Sequence, residues 1–174
     1  MNFEIAFQRL IGHEGGYSND PDDPGNWTGG KIKVGTLKGT KYGIAANTYP
    51  NLDIKNLTLE QAKAIYKKDW WDKLGADGLH SAIVFQLWDF AINAGKDRAI
   101  KELQQAIGFT GSQVDGKLGP ATKAKVNEFD LNDVLLTLTA ERLKFYASLP
   151  TWPKYGKGWT IRVADNLIYA AKDN

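Results

Sequence analysis

His13-Glu14-Gly15-Gly16-Tyr17 is the stretch on which the reading of this 174-residue chain turns. Before it, Phe3, Phe7, Leu10 and Ile11 recur at helical spacing, and Gly12 is a natural stop, which predicts a first helix ending there. Glu14 therefore stands at a helix exit, at the mouth of a long stretch rich in Gly, Asp and Pro. A carboxyl group fixed by a helix yet facing an irregular wall suits a general acid of glycoside cleavage. Partial burial raises its pKa, and the adjoining loop leaves room for a sugar chain. A solvated helix-end glutamate is the plainer alternative, and the rest of the sequence decides between the two.

Working outward, residues 15–50 cannot hold a long helix. Nine glycines run from Gly12 to Gly43 inclusive, alongside Pro21 and Pro24. Lys31 to Val34 is a short strand candidate, so a small hairpin or loop lobe is expected here. Beyond it the pattern turns helical. Thr58 with Gln61 forms a capping box ahead of Ala62, Ile65, Tyr66 and Trp70. Ser81 is a candidate cap for a segment with Ile83, Val84, Leu87, Trp88, Ala91 and Ile92 on a wide apolar face. Asp97 is a candidate cap for the next, with Ile100, Leu103 and Ile107 inward and Gly108 past its end. Pro120 suits the first turn of a short helix. Leu131 to Leu149 is the longest periodic stretch, with Leu135, Leu138, Arg142, Phe145 and Leu149 along one side. Trp159, Val163, Leu167 and Ala171 recur every four residues and mark a terminal helix. The expected fold is mainly α, with one irregular lobe after the first helix. A boundary near 93–96 divides the chain into 1–95 and 96–174, two parts expected to pack as one unit.

Composition bounds the function. Hydrophobic residues make up 43% and charged residues 24%, the balance of a soluble globular protein. A formal net charge of +2 argues against a nucleic-acid surface, although the excess of basic residues lies in 96–174 and suits an anionic polymer. With no cysteine, thiolate metal sites, disulfides and cysteine nucleophiles are excluded. His13 and His80 are the only histidines, too few for a histidine metal site, and Tyr17 occupies the place of the second histidine of a zinc-protease motif. No metal or cofactor is expected. Nothing among the first residues reads as a signal peptide, and no apolar run spans a membrane.

Around Glu14, the carboxylates Asp20, Asp22 and Asp23 precede Pro24-Gly25-Asn26-Trp27-Thr28. Such residues form turns, but one of them could stand opposite Glu14, stabilising charge at the anomeric carbon or orienting a water. Either threonine hydroxyl, Thr28 or Thr40, could position that water. Aromatic rings stack on sugar faces, so Tyr17, Trp27 and Tyr42 are candidate subsite residues, whereas Trp70, Trp71 and Trp88 read as core.

These residues carry a resemblance. Glu14-Gly15-Gly16-Tyr17-Ser18-Asn19-Asp20, Asp23-Pro24-Gly25 and Thr40-Lys41-Tyr42-Gly43-Ile44 resemble the N-acetylmuramidases of glycoside hydrolase family 108, phage and prophage endolysins. The spacing of Glu14, Asp23 and Thr28 is also similar to the glutamate, aspartate, threonine order of phage-type lysozymes. Asp89-Phe90-Ala91-Ile92-Asn93-Ala94-Gly95 looks like the pattern that closes the catalytic part, which makes Asn93 a candidate substrate contact. Val114 to Thr122 and Gly158 to Val163 resemble a peptidoglycan-binding domain paired with it. The resemblance implies a lysozyme-like fold, Glu14 as general acid, and Asp23, Asp20, Thr28 and Thr40 as its candidate partners. It implies bacterial peptidoglycan as substrate, with the β-1,4 bond between N-acetylmuramic acid and N-acetylglucosamine as the one cut. Alternatives are a lytic transglycosylase on the same bond, or a non-catalytic wall-binding or secretion-accessory protein. A monomer is expected, made in the host cytoplasm and reaching the wall or periplasm through a holin-type membrane-permeabilising partner. A membrane-binding terminal helix, with Trp159, Ile161, Val163, Leu167, Ile168 and Tyr169 beside Lys157, Arg162 and Lys172, is the alternative route.

Overall fold

The computed structural model describes residues 1–12 and 16–174, and the fold is mainly α with a two-stranded sheet. The chain forms two compact units, an N-terminal unit of Phe3–Asp69 and a helical unit of Met1–Asn2 with Trp70–Asn174. Among the described residues no helix is long and apolar enough to cross a membrane.

The N-terminal unit begins with α1 (Phe3–Ile11), amphipathic as expected, burying Phe3, Ala6, Phe7 and Leu10. The core of this unit also takes in Ile44, Ala46, Ile54, Leu57, Ala62 and Tyr66. The ring of Tyr66 lies 5.9 Å, centroid to centroid, from the phenyl ring of Phe7. The capping box forms as predicted: Thr58 accepts from the Gln61 amide and Gln61 returns the bond, opening α2 (Leu59–Ile65). A π-helical segment comes next at Tyr66–Trp71, then α3 (Asp72–Leu74).

The irregular lobe is present, but its strands lie elsewhere than Lys31–Val34. β1 (Thr40–Lys41) pairs antiparallel with β2 (Ile44–Ala45), in register Thr40 to Ala45 and Lys41 to Ile44. The turn residues Tyr42 and Gly43 have φ of 51° and 73°, as a type I′ hairpin requires. Lys31–Val34 forms the tip of a second loop, in which Thr28 pairs with Thr36 and Gly29 with Val34. Lys33 takes φ 62° there, a conformation no strand allows.

In the helical unit, α4 (Ser81–Ala94) is buried on nearly every side, from Ala82 and Ile83 through Phe85 to Ala91. It packs against α5 (Lys96–Ala106), α7 (Leu131–Ser148) and α8 (Trp152–Asp173). The step from α4 to α5 near residues 93–96 is therefore internal to this unit, and the compact units divide near residue 70. Trp88 is buried in α4, and the half-buried Trp71 meets it edge to face at 5.3 Å. α6 (Pro120–Glu128) starts on Pro120 as expected.

Two caps differ from the sequence reading. The His80 side chain, not Ser81, accepts from the Ala82 amide, and Gly95 at φ 87° precedes α5, leaving Asp97 inside the first turn, where it pairs with Lys101. The buried face of α8 differs too: it comprises Gly156, Arg162, Val163, Asn166 and Ala170, while Leu167 and Ala171 are exposed. A strict four-residue repeat advances about 40° around the helix per step, so it walks off the interface.

Candidate active site

Glu14 and His13 lie outside the described residues, so the described part of the site begins beyond them, with Tyr17 and the irregular lobe. The centre of the lobe is Asn26, fully buried although it sits in a Pro-Gly-Asn turn. Its amide Nδ2 donates to the Asp20 carbonyl at 3.0 Å, and its Oδ1 accepts from the Thr40 hydroxyl at 2.7 Å. Its backbone N–H donates to the Asp23 carbonyl at 3.1 Å, and its own carbonyl accepts from the amides of Lys38 and Gly39, both at 3.0 Å. One residue thus ties the backbone at Asp20 and Asp23 to the Thr40 hydroxyl. A buried amide leaves no polar atom idle without cost, so these bonds fix the lobe.

Each carboxylate is oriented locally. Asp23 caps the 3₁₀ turn at Pro24–Asn26, its Oδ1 accepting from the Gly25 amide at 2.8 Å. Its Oδ2 accepts from no described residue and stays available for a ligand. Asp20 Oδ1 accepts from the Asp22 amide at 3.0 Å, a turn-forming bond on the exposed side. Asp22 itself is exposed.

The two threonines separate clearly. Thr28 Oγ1 accepts from the Thr36 amide at 2.9 Å and closes the second loop. Gly35 is required beside it, since a Cβ there would come within 2.2 Å of that hydroxyl. Thr40 belongs to β1 and also bridges Ser18, exchanging backbone hydrogen bonds of 2.8 Å in both directions. The residue four places after Glu14 is thereby tied to Thr40. Because the Thr40 hydroxyl gives its proton to Asn26, its lone pairs remain for a water.

The aromatic candidates have distinct anchors. Tyr17 is exposed, and its hydroxyl donates to the Lys38 carbonyl at 3.3 Å. Trp27 Nε1 donates to the Pro21 carbonyl at 2.9 Å, which folds the indole over its own loop. The Tyr42 carbonyl accepts from the Tyr66 hydroxyl at 3.0 Å, holding Tyr42 in its left-handed conformation. Asn93 belongs to the helical unit, exposed near the end of α4, with Nδ2 donating to the Asp89 carbonyl at 3.0 Å. Among the described residues no three His, Cys, Asp or Glu side chains are grouped to hold a metal ion.

Sequence reasoning missed Asn26, which reads as a turn former, and it missed what Asp89 does. Asp89 is fully buried in α4. Arg142 Nη2 of α7 donates to its Oδ2 at 2.7 Å, and Arg162 Nη2 of α8 to its Oδ1 at 2.8 Å. Asn166 Nδ2 adds a bond of 2.6 Å. Burial by itself would push this carboxyl up, but the two guanidiniums override it and hold Asp89 far below the ordinary carboxylate range. An arginine on the apolar side of a predicted helix, as Arg142 is, was the available signal for a buried counter-ion.

Comparison with known proteins accords with this architecture. The family model for glycosyl hydrolase 108 matches residues 7–95. The solved structure of Brucella abortus SagA is similar at 31% sequence identity with a TM-score of 0.81, over 98% of this chain and 94% of that one. Comparison with curated proteins gave no match. The fold is thus the mainly α, lysozyme-like one expected.

Proposed function

The chain belongs to the glycosyl hydrolase 108 family of peptidoglycan-hydrolysing glycosidases, and from that membership we propose that it is a muramidase. The bond cut is the β-1,4 link from N-acetylmuramic acid to N-acetylglucosamine. Glu14 is the general acid, protonating the leaving oxygen as an oxocarbenium-like transition state develops. Asp23 offers its available oxygen to that positive charge or to the attacking water. Thr40 accepts a hydrogen bond from the water and leaves a water lone pair for attack. Tyr17, Trp27, Tyr42 and Asn93 contact the glycan. The observation that supports this reading is the Asn26-centred cluster, which ties the backbone at Asp20 and Asp23 to the Thr40 hydroxyl, with Thr40 in turn paired to Ser18 just after Glu14.

Residues 1–95 supply the chemistry in this reading, and residues 96–174 support it and engage the wall. The enzyme works as a monomeric endolysin, made in the cytoplasm and released to the wall through a holin-type partner.

Turbidity of purified peptidoglycan, with product analysis, is the test. Glu14→Gln keeps the shape but has no acidic proton, so activity falls on the order of 10²–10⁴-fold or more. Residual activity within a few-fold of the unaltered enzyme sinks the assignment of Glu14. Reducing ends mark hydrolysis, whereas anhydro ends identify a lytic transglycosylase. Wall binding without either product identifies a non-catalytic wall-binding protein.

A further inference from the structure

Two cavities in the N-terminal unit lie outside the Asn26 cluster. One, of about 340 Å³, is lined by Tyr17, Leu37, Lys38, Leu52, Asp53 and Lys55 among others. The second, of about 420 Å³, lies against α2 and is lined chiefly by Leu52, Leu57, Ala64 and Ile65. Leu52 and Asp53 line both, so the two adjoin. Each falls in the size range of small-ligand pockets.

The walls are built rather than incidental. Lys38 Nζ donates to the Pro50 carbonyl at 2.6 Å, and Lys41 Nζ to the Lys55 carbonyl at 3.0 Å, pinning the 50–55 turn. Tyr17 closes on Gly39, where a Cβ would come within 2.8 Å of its ring. Among the described residues none of Lys38, Lys41 and Lys55 forms an ion pair. Two lysines, Lys38 and Lys55, therefore line the cavity with a single carboxylate, Asp53, which is itself held by Asn56 through a bond of 2.8 Å.

The matching ligand carries carboxylates for the lysines, short alkyl groups for the apolar cavity, and an amine for Asp53. A stem peptide of alanine, glutamate and a diamino acid, as borne by muramic acid in peptidoglycan, has this chemistry. We infer that the adjoining cavities at the 50–57 turn and α2 bind the stem peptide, so that the enzyme selects peptide-substituted glycan. The inference rests on the peptidoglycan reading above and specifies its substrate.

The probe is synthetic alanyl-γ-glutamyl-diaminopimelate, titrated into the full chain by calorimetry. Lys55→Glu reverses one charge at an exposed position, and Ala64→Trp fills the apolar cavity from the exposed side of α2. Circular dichroism checks that both fold. The expected result is binding to the unaltered chain, weakened at least fivefold in each variant. Absence of tripeptide binding to the unaltered chain overturns the inference, as does equal binding by all three proteins. Glycan cleavage is scored separately through reducing ends. Peptide binding without cleavage supports the groove while refuting the muramidase, and cleavage without peptide binding does the reverse.

Discussion

At the scale of single residues, the lobe turns on which hydroxyl faces the chemistry. Thr28 is committed to its loop and Thr40 to Asn26 and Ser18, so Thr40→Val should cost at least tenfold in kcat while Thr28→Val stays within about threefold. Asp23→Asn should cost more than Asp22→Asn, since Asp23 keeps an available oxygen and Asp22 is an exposed turn residue. Side-by-side kinetics on one peptidoglycan preparation check both orderings, and equal, mild effects would reduce all of them to turn formers. The block from Glu14 to Tyr17 and the nine-residue step to Asp23 stand out as candidates in the sequence because glycoside cleavage calls for particular residue types. Asn26 was not legible, because an asparagine after Pro-Gly reads as a surface turn, and only the tertiary bonds reveal it as buried. The choice between Thr28 and Thr40 was hidden for the same reason: both are hydroxyls near glycines until their partners are known.

At the scale of elements, most helices could be read from apolar spacing and caps, while the position of the hairpin could not. Its turn uses Tyr42, a residue that seldom takes positive φ, and Tyr66 24 residues away holds it there. The face of α8 was misread because its inward positions include Arg162 and Asn166, polar residues that an apolar pattern discards. With Arg162 and Val163 buried, only part of the membrane-binding face imagined for this helix is displayed, namely Ile161, Leu167 and Ile168. Those buried polar groups join α4, α7 and α8 through Asp89. Asp89→Asn leaves two buried guanidiniums without their counter-charge and should destabilise by about 3–5 kcal/mol, measured by denaturant unfolding. The folded pKa of Asp89 is depressed, so its contribution is fully present above the unfolded value of about 3.9 and is lost as pH falls through the folded one. The variant should therefore show a shallower loss of stability below pH 4 than the unaltered protein. Parallel pH profiles would refute this.

At the scale of the whole molecule, the family match ends at residue 95, yet α4 packs with helices that come after it. A 1–95 fragment exposes the apolar surface of α4 and strands Asp89, so it should be insoluble or unfolded, and a soluble, fully active fragment would refute the coupling. Expressing the full chain alone in bacteria should leave culture density unaffected until a pore-forming partner is added, and prompt lysis without one would overturn the proposed route. Asp89 also sets an order of events during synthesis. Its two arginines come 53 and 73 residues later. At about 5–20 residues per second, the emerging α4 spends several seconds with an uncompensated carboxylate. The helical unit can close only once α8 has left the ribosome. Stalled or shortened products that end before α8 carry the whole family-matched segment but leave the helical unit around Asp89 unfinished. Completion of the helical unit is thus confined to chains that have been made as far as α8, an order of assembly written into one buried charge.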